Sequence, residues 1–478
     1  MQDKESCKSN PAYRVIAKEI ETEFRRGKFK AGDKLPSQRE LMKRYRVSRN
    51  TMVAAISLLK HHGLIESHQR AGNFFRLPSQ SIVDWNNYFK LSKHSETVIS
   101  PFSRNYKSSR KVKNINLSGL ILEAQDQFET KLRSVLDPSF QLFQTNFEGF
   151  DQQGLFSLRE ALVKYLAKFD IETTPEEILI TEGPIQAISF IAESLIGNGI
   201  ELYREFPSDS VYFKNIQLFG GHIHNLNGDS EGILLDKLGS SISLNPHRIL
   251  SFYSCCQPPT NISISKQRRK QIYKFCSEHR IPIIDNCMLL EYCLDPDGPN
   301  PMKAIDKKNI VIHIGSFPKS VSPWIWLGWI VAPVPVIQKL IDVKEQRSRW
   351  SNPVNQKIVE MALRAGAIDD YFSALRSNLI TKNKKYEEIL RRYLSSVASW
   401  SKKHSGWCYW LEFNEKIDVR IIYKNCQGVH FNPGFFYDPS DQHHLMLNPP
   451  SVGIEEFETG IKQIRDLIDL LYPHLPKY

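Results

Sequence analysis

The 478-residue sequence has no run of about 18 or more apolar residues, the length a helix needs to span bilayer hydrocarbon. It also has no apolar segment following a charged N-terminus, so no secretory signal is indicated. A cytoplasmic location without a membrane partner is expected. The eight cysteines, including the adjacent Cys255 and Cys256, show no zinc-type spacing. Cytosolic thiols stay reduced, so all eight read as free thiols and not as disulfides. Fourteen histidines include His61-His62 and His443-His444, neither with a second ligand set nearby, and no metal site is expected.

What is present points first to more than one domain. The length and a 41% hydrophobic content support a large core and at least two domains. The charge is uneven. Residues 1–113 hold 24 Lys and Arg against 10 Asp and Glu, a net of +14, whereas the whole chain carries +11 and the remaining 365 residues therefore −3. Basicity gathered at one end is what phosphate binding requires.

That basic end carries helical periodicity. Tyr13, Ile16, Ala17, Ile20 and Phe24 follow the spacing of one helix face, predicting a helix over 11–26. Ser37 stands three residues before Glu40, as in a capping box, and a second helix there would bury Leu41. Tyr45, Arg46 and Val47 form a turn. Ser48 caps a third helix with Met52, Ala55, Ile56 and Leu59 inward and Arg49, Asn50, Ser57 and Lys60 outward. After Gly63, Leu64 to Phe75 reads as a two-stranded wing with the basic turn His68-Gln69-Arg70-Ala71-Gly72, suited to phosphate or minor groove. The alternative is a small helical domain whose charges are merely solvated. The complete order of capped helices and basic hairpin, and the charge asymmetry, favour DNA.

Leu35-Pro36-Ser37-Gln38-Arg39-Glu40-Leu41 and Val47-Ser48-Arg49-Asn50-Thr51 resemble the winged-helix domain of the GntR superfamily of bacterial transcription factors. The resemblance implies DNA contacts from Arg39, Ser48, Arg49, Asn50 and Thr51, with Gly72 in the wing. Arg49 then suits a bidentate contact to guanine, and Arg39 a phosphate clamp.

Residues 77–115, rich in Ser, Asn, Lys and Arg, read as a basic linker. Beyond it, apolar runs at Ile178–Ile180, Ile249–Tyr253, Ile281–Ile284 and Ile310–Ile314 alternate with helical segments such as 157–168 and 266–278. That alternation predicts an α/β domain with a mostly parallel sheet. A closing segment from about 380 mixes strands and helices and ends in an amphipathic helix over 454–472.

Within this region Gly154 to Leu162, Thr181-Glu182-Gly183, Gln257-Pro258-Pro259-Thr260, Ser316-Phe317-Pro318-Lys319, Leu327-Gly328 and Pro433-Gly434 are similar, in order, to the landmarks of fold type I aminotransferases. Winged helix plus such a domain resembles the MocR family of regulators. The resemblance implies a winged helix-turn-helix domain over 1–76, the linker, a large domain over 116–380 with a seven-stranded-type sheet, and a small α+β subdomain over 381–478. It also implies a homodimer on double-stranded operator DNA and a small-molecule effector.

In that family Lys319 would hold pyridoxal 5'-phosphate as a Schiff base, with Gly183, Ser316 and either Asp285 or Asn286 as further contacts. The phosphate-binding arginine expected seven residues on is Trp326, and Pro184 removes an N–H from the phosphate-binding turn. Ungapped alignment puts Asn286 at the pyridinium position, with Asp285 one residue away. Met288 replaces an expected tyrosine, Pro258 an asparagine or aromatic, Asp209 a tyrosine, and Met446 the substrate-carboxylate arginine. These losses predict no catalytic residues and no transamination. The alternatives are an aminotransferase acting on an amino acid, and a regulator that keeps the Lys319 aldimine as an effector.

Overall fold

The computed structural model describes residues 11–25, 28–29, 32–68, 72–75, 114–119, 151–197, 199–208, 216, 219–236, 238, 247–294, 301–317, 321, 326–401 and 407–475. The chain divides into two compact units, Met1–Val98 and Ile99–Tyr478.

In the first unit α1 (Ala12–Arg25), α2 (Gln38–Tyr45) and α3 (Arg49–His61) precede the antiparallel pair β1 (Ile65–His68) and β2 (Gly72–Phe75). The capping box forms as read. Glu40 N–H donates to Ser37 Oγ at 3.3 Å, and Ser37 N–H donates to Glu40 Oε2 at 2.7 Å. Arg46, at φ +49, stops α2 in the left-handed conformation. Ser48 then starts α3 by accepting from Thr51 N–H at 3.3 Å. Met52, Ala55, Ile56 and Leu59 are buried with Ile16, Ile20, Leu41 and Phe75 in one core, and Phe75 stacks between Phe24 and Phe29 at 5.0 and 4.6 Å. Asp33 to Leu35 add a third edge to the wing: Phe75 N–H donates to Asp33 O and Leu35 N–H to Asn73 O, both at 2.8 Å.

The second unit runs through β3 (Ile115–Asn116), α4 (Phe156–Leu166), β4 (Ile178–Thr181), α5 (Pro184–Leu195), β5 (Glu201–Phe206), β6 (His222–Asp229), β7 (Gly232–Ile233), β8 (Arg248–Phe252), α6 (Lys266–Glu278), β9 (Ile283–Asn286), β10 (Val311–Ser316) and β11 (Gly328–Val331). It continues with α7 (Val334–Arg347), α8 (Pro353–Arg364), α9 (Ala367–Leu394), β12 (Ala398–Trp400), β13 (Tyr409–Phe413), α10 (Val419–Asn425), β14 (Val429–His430), β15 (Asn432–Pro433), β16 (His444–Leu447) and α11 (Ile454–Leu471).

The large sheet has the order β4-β11-β10-β9-β8-β5-β6-β7. From β10 to β6 the neighbours are parallel, whereas β11 is antiparallel to both β10 and β4. The seven-stranded sheet of the expectation thus carries an eighth, two-residue strand, β7, antiparallel to β6. Strand alternation sends Leu179, Ile284, Ile312, Ile314 and Ile330 to the face covered by α5 and α7. Ile178, Ile180, Trp329 and Val331 go to the face covered by α4, α8 and α9, and Ile283, Phe252 and Val311 pack beside them with α6. Its strands β4, β11, β10, β9 and β8 are buried on both sides, which is why the parallel ones read as apolar runs.

A second sheet, β12-β13-β16-β15, is backed by α11 and the end of α9. Helix α9 spans residue 380. Its Ile368, Tyr371, Phe372, Leu375 and Leu379 join the core of the large sheet, and Tyr386, Ile389, Leu390 and Leu394 join that of the small one. The segment at 114–119 packs with this C-terminal part: β3 pairs parallel with β14, and Leu117 is fully buried in the smaller core.

Candidate functional site

Arg39 lies exposed in the first turn of α2, and Arg49 and Asn50 lie exposed in the first turn of α3. The start of a helix exposes N–H groups and favours anions. Ser48 and Thr51 have a second duty, because their hydroxyls bond each other at 2.9 Å in addition to the cap. Arg44, also on α2, is committed to Glu23, so Arg39 and Arg49 are the freer cations. Gly72, at φ +110, opens β2, and a Cβ there would stand 3.0 Å from Lys34 Cε. Lys34 thereby joins the wing as a basic residue that sequence reasoning missed; its bridge to Phe74 is non-local and left no periodic signal. The turn residues 69–71 lie outside the described residues.

In the second unit, two positions read as phosphate contacts come together. Gly183 is the N-cap of α5 at φ +85, and a Cβ built on it would fall 2.1 Å from Trp326 Nε1. The indole therefore lies directly on the Gly183 backbone. Gly328 closes the other side, where a Cβ would meet Gly183 Cα at 2.9 Å. Glu182 N–H donates to Gln186 Oε1 at 2.8 Å, and Pro184 at the first helical position has no N–H to offer. Indole, proline and an occupied amide do not fit a phosphate dianion, which needs open donors and positive charge.

Asp285 and Asn286, neighbours in β9, point to opposite faces. Asn286 lies on the α5 side and borders an apolar recess with Ile188, Ile191, Ile284, Ser251 and Tyr253. Its Oδ1 accepts from Met288 N–H at 3.2 Å. Asp285 lies on the other side, fully buried, accepting from Met302 N–H at 2.6 Å and Ser254 N–H at 3.2 Å. Burial pushes its carboxyl up. Ser316 ends β10, buried opposite Gly328. Met446 is buried in β16 and receives the Tyr437 hydroxyl at 3.3 Å, an uncharged contact where the resemblance calls for an arginine. Lys319, Pro318 and Asp209 lie outside the described residues.

A further buried carboxyl gives a pH signature. Burial pushes Glu205 up to about 8, opposed by the Tyr253 N–H it accepts and reinforced by Asp285. A carboxyl raised in the folded state contributes stability that is complete below its unfolded value and is lost as pH rises through about 8. Denaturation between pH 5 and 9 should show this fall, and Glu205→Gln should flatten it. Glu291, pushed up to about 7 by burial, has the same sign, so part of the slope persists. An unchanged slope in the variant would remove Glu205 as its source.

Residues 12–75 match the family described as bacterial regulatory proteins, gntR family. Over 472 residues the chain is 27% identical to the uncharacterized HTH-type transcriptional regulator YdfD of Bacillus subtilis (strain 168), covering 97% of each. It is 26% identical to the HTH-type transcriptional regulator NorG of Staphylococcus aureus (strain N315), over 86% of this chain and 93% of that one. Among solved structures, the multiple substrate aminotransferase of Thermococcus profundus superposes with a TM-score of 0.74 at 19% identity, over 82% of this chain and all of that one. The Pyrococcus horikoshii kynurenine aminotransferase also gives 0.74, at 20% identity over 81% and 98%. The chain has the MocR-like architecture. This MocR-like chain is a DNA-binding transcriptional regulator of the GntR type whose second unit has the aminotransferase fold. No helix among its described residues is long and apolar enough to cross a membrane.

Proposed function

We propose that the protein acts in the cytoplasm as a homodimer on paired operator half-sites, with its aminotransferase-like unit serving as effector and dimerisation module without turnover. Arg49 and Asn50 read bases, Arg39 and Lys34 hold phosphates, and Ser48, Thr51 and Gly72 shape the helix start and wing. Exposed apolar groups support the homodimer. Phe156, Ile185, Trp350 and Val354 are 38–51% exposed. Their elements are tied together by Leu155 N–H to Gln356 Oε1 at 2.8 Å and Asn352 N–H to Glu182 Oε1 at 2.7 Å. An apolar surface gathered this way suits a second copy.

The observation that carries the loss of turnover is the Trp326 indole seated on Gly183. It covers the turn at Gly183 where the cofactor phosphate would dock, and Asn286 offers an amide where a carboxylate would keep the pyridinium protonated. An effector for this pocket would be less anionic and more apolar. It regulates DNA binding by binding one arrangement of the dimer more tightly than another.

The test is an absorption spectrum of purified protein with and without pyridoxal 5'-phosphate, followed by borohydride. A flat spectrum, no adduct, and unaltered operator binding by Lys319→Ala are expected. A band that traps onto Lys319 would replace this reading with a regulator that keeps the aldimine. Release of keto acid from an amino acid would replace it with an enzyme.

A further inference from the structure

The sequence gives no spaced ligand set, yet the register of β9 and β10 assembles one. His313 lies opposite Asp285 in the parallel ladder, and Cys287 extends that ladder by donating its N–H to Ile314 O at 2.8 Å. Residues two apart on a strand share a face, as do directly paired residues, so Asp285, Cys287 and His313 converge. One ligating atom of each lies within 4.8 Å of the others. The residues are 0%, 1% and 0% exposed.

His313 carries the inference. Neither ring nitrogen has a hydrogen-bond partner among the described residues, although a neutral imidazole has one donor and one acceptor to satisfy. A buried polar group left this way calls for an ion or ordered water. A neutral imidazole offers a ring nitrogen to a metal ion.

We propose that Asp285, Cys287 and His313 form a binding site for one divalent transition-metal ion of the zinc class. A set of one oxygen, one sulfur and one nitrogen suits zinc; magnesium and calcium prefer all-oxygen cages. Cys287 shares its thiol proton with Asp285. Metal binding releases that proton to solvent, forming the thiolate and freeing a carboxylate lone pair in one step. The Met302 and Ser254 amides already fix the carboxylate from behind. Two anionic ligands balance the ion. Of the neighbouring cations, Lys303 is paired with Asp306 at 2.9 Å, and Arg269 interacts with Asp285 and Cys287. The site is on the opposite face of β9 from Asn286, so it is separate from the inherited cofactor pocket.

The test uses the full chain, stripped with chelator, loaded with zinc, desalted and assayed for metal. About one equivalent should remain per chain. Cys287→Ser and His313→Gln should each lower zinc affinity at least about tenfold, whereas Cys276→Ser on α6 should leave it unchanged. Cobalt(II) titration of the unaltered protein gives a readout that needs no variant to fold: a thiolate-to-cobalt charge-transfer band is expected. Absence of that band overturns the site. So does unchanged zinc affinity in either ligand variant.

Discussion

Arg49→Ala is expected to weaken operator binding by about 1–3 kcal/mol, roughly a 5- to 150-fold rise in Kd, with a smaller loss on unrelated duplex. The side chain is exposed at the first position of α3, and the inward face of that helix does not include it. Truncation therefore removes a base contact without opening the core of Met52, Ala55, Ile56 and Leu59. Arg39→Ala should behave differently, weakening both duplexes alike and lowering the salt slope by about 1. Titration of both variants against both duplexes separates the roles. Equal operator affinity for Arg49→Ala and the unaltered protein would remove Arg49 from base reading.

Trp329→Ala should cost the second unit about 3–5 kcal/mol. The indole is 1% exposed in β11, packed on Phe317 at 4.9 Å and near Tyr165 at 6.2 Å between ring centroids. It lies over Gly315, where any Cβ would stand 2.3 Å from the ring, so nothing else fills that space. Its Nε1 has no partner among the described residues. Trp329→Phe keeps most of the packing and removes that orphan donor, and should cost less than about 1.5 kcal/mol. Denaturant unfolding of the second unit's transition tests the pair. A cost below about 1 kcal/mol for the alanine variant would show that the core collapses onto the gap.

Legibility from sequence followed locality. Helix α6 spans the 266–278 expected of it, and the capped helices of the first unit match their reading because caps act within four residues. The apolar runs gave β4, β8, β9 and β10 within a few residues. Strand β6 escaped notice: His222 to Asp229 is mostly exposed and polar, and only its pairing with β5 makes it a strand. The antiparallel insertion of β11 between β4 and β10 was equally silent, since strand direction leaves no trace in composition.

For the site, the sequence by itself determined which groups are present: the basic, capped reading helix, and the replacement of charged cofactor contacts by Trp326, Pro184, Asn286 and Met446. Those are statements about residue type, fixed by the chain alone. Tertiary structure decided where they act. It laid Trp326 on Gly183 across 143 positions of sequence, turned Asp285 and Asn286 to opposite faces, and set His313 beside Asp285. Strand register makes these choices, because a shift of one residue sends each side chain to the other face of the sheet, and register depends on partners distant in sequence.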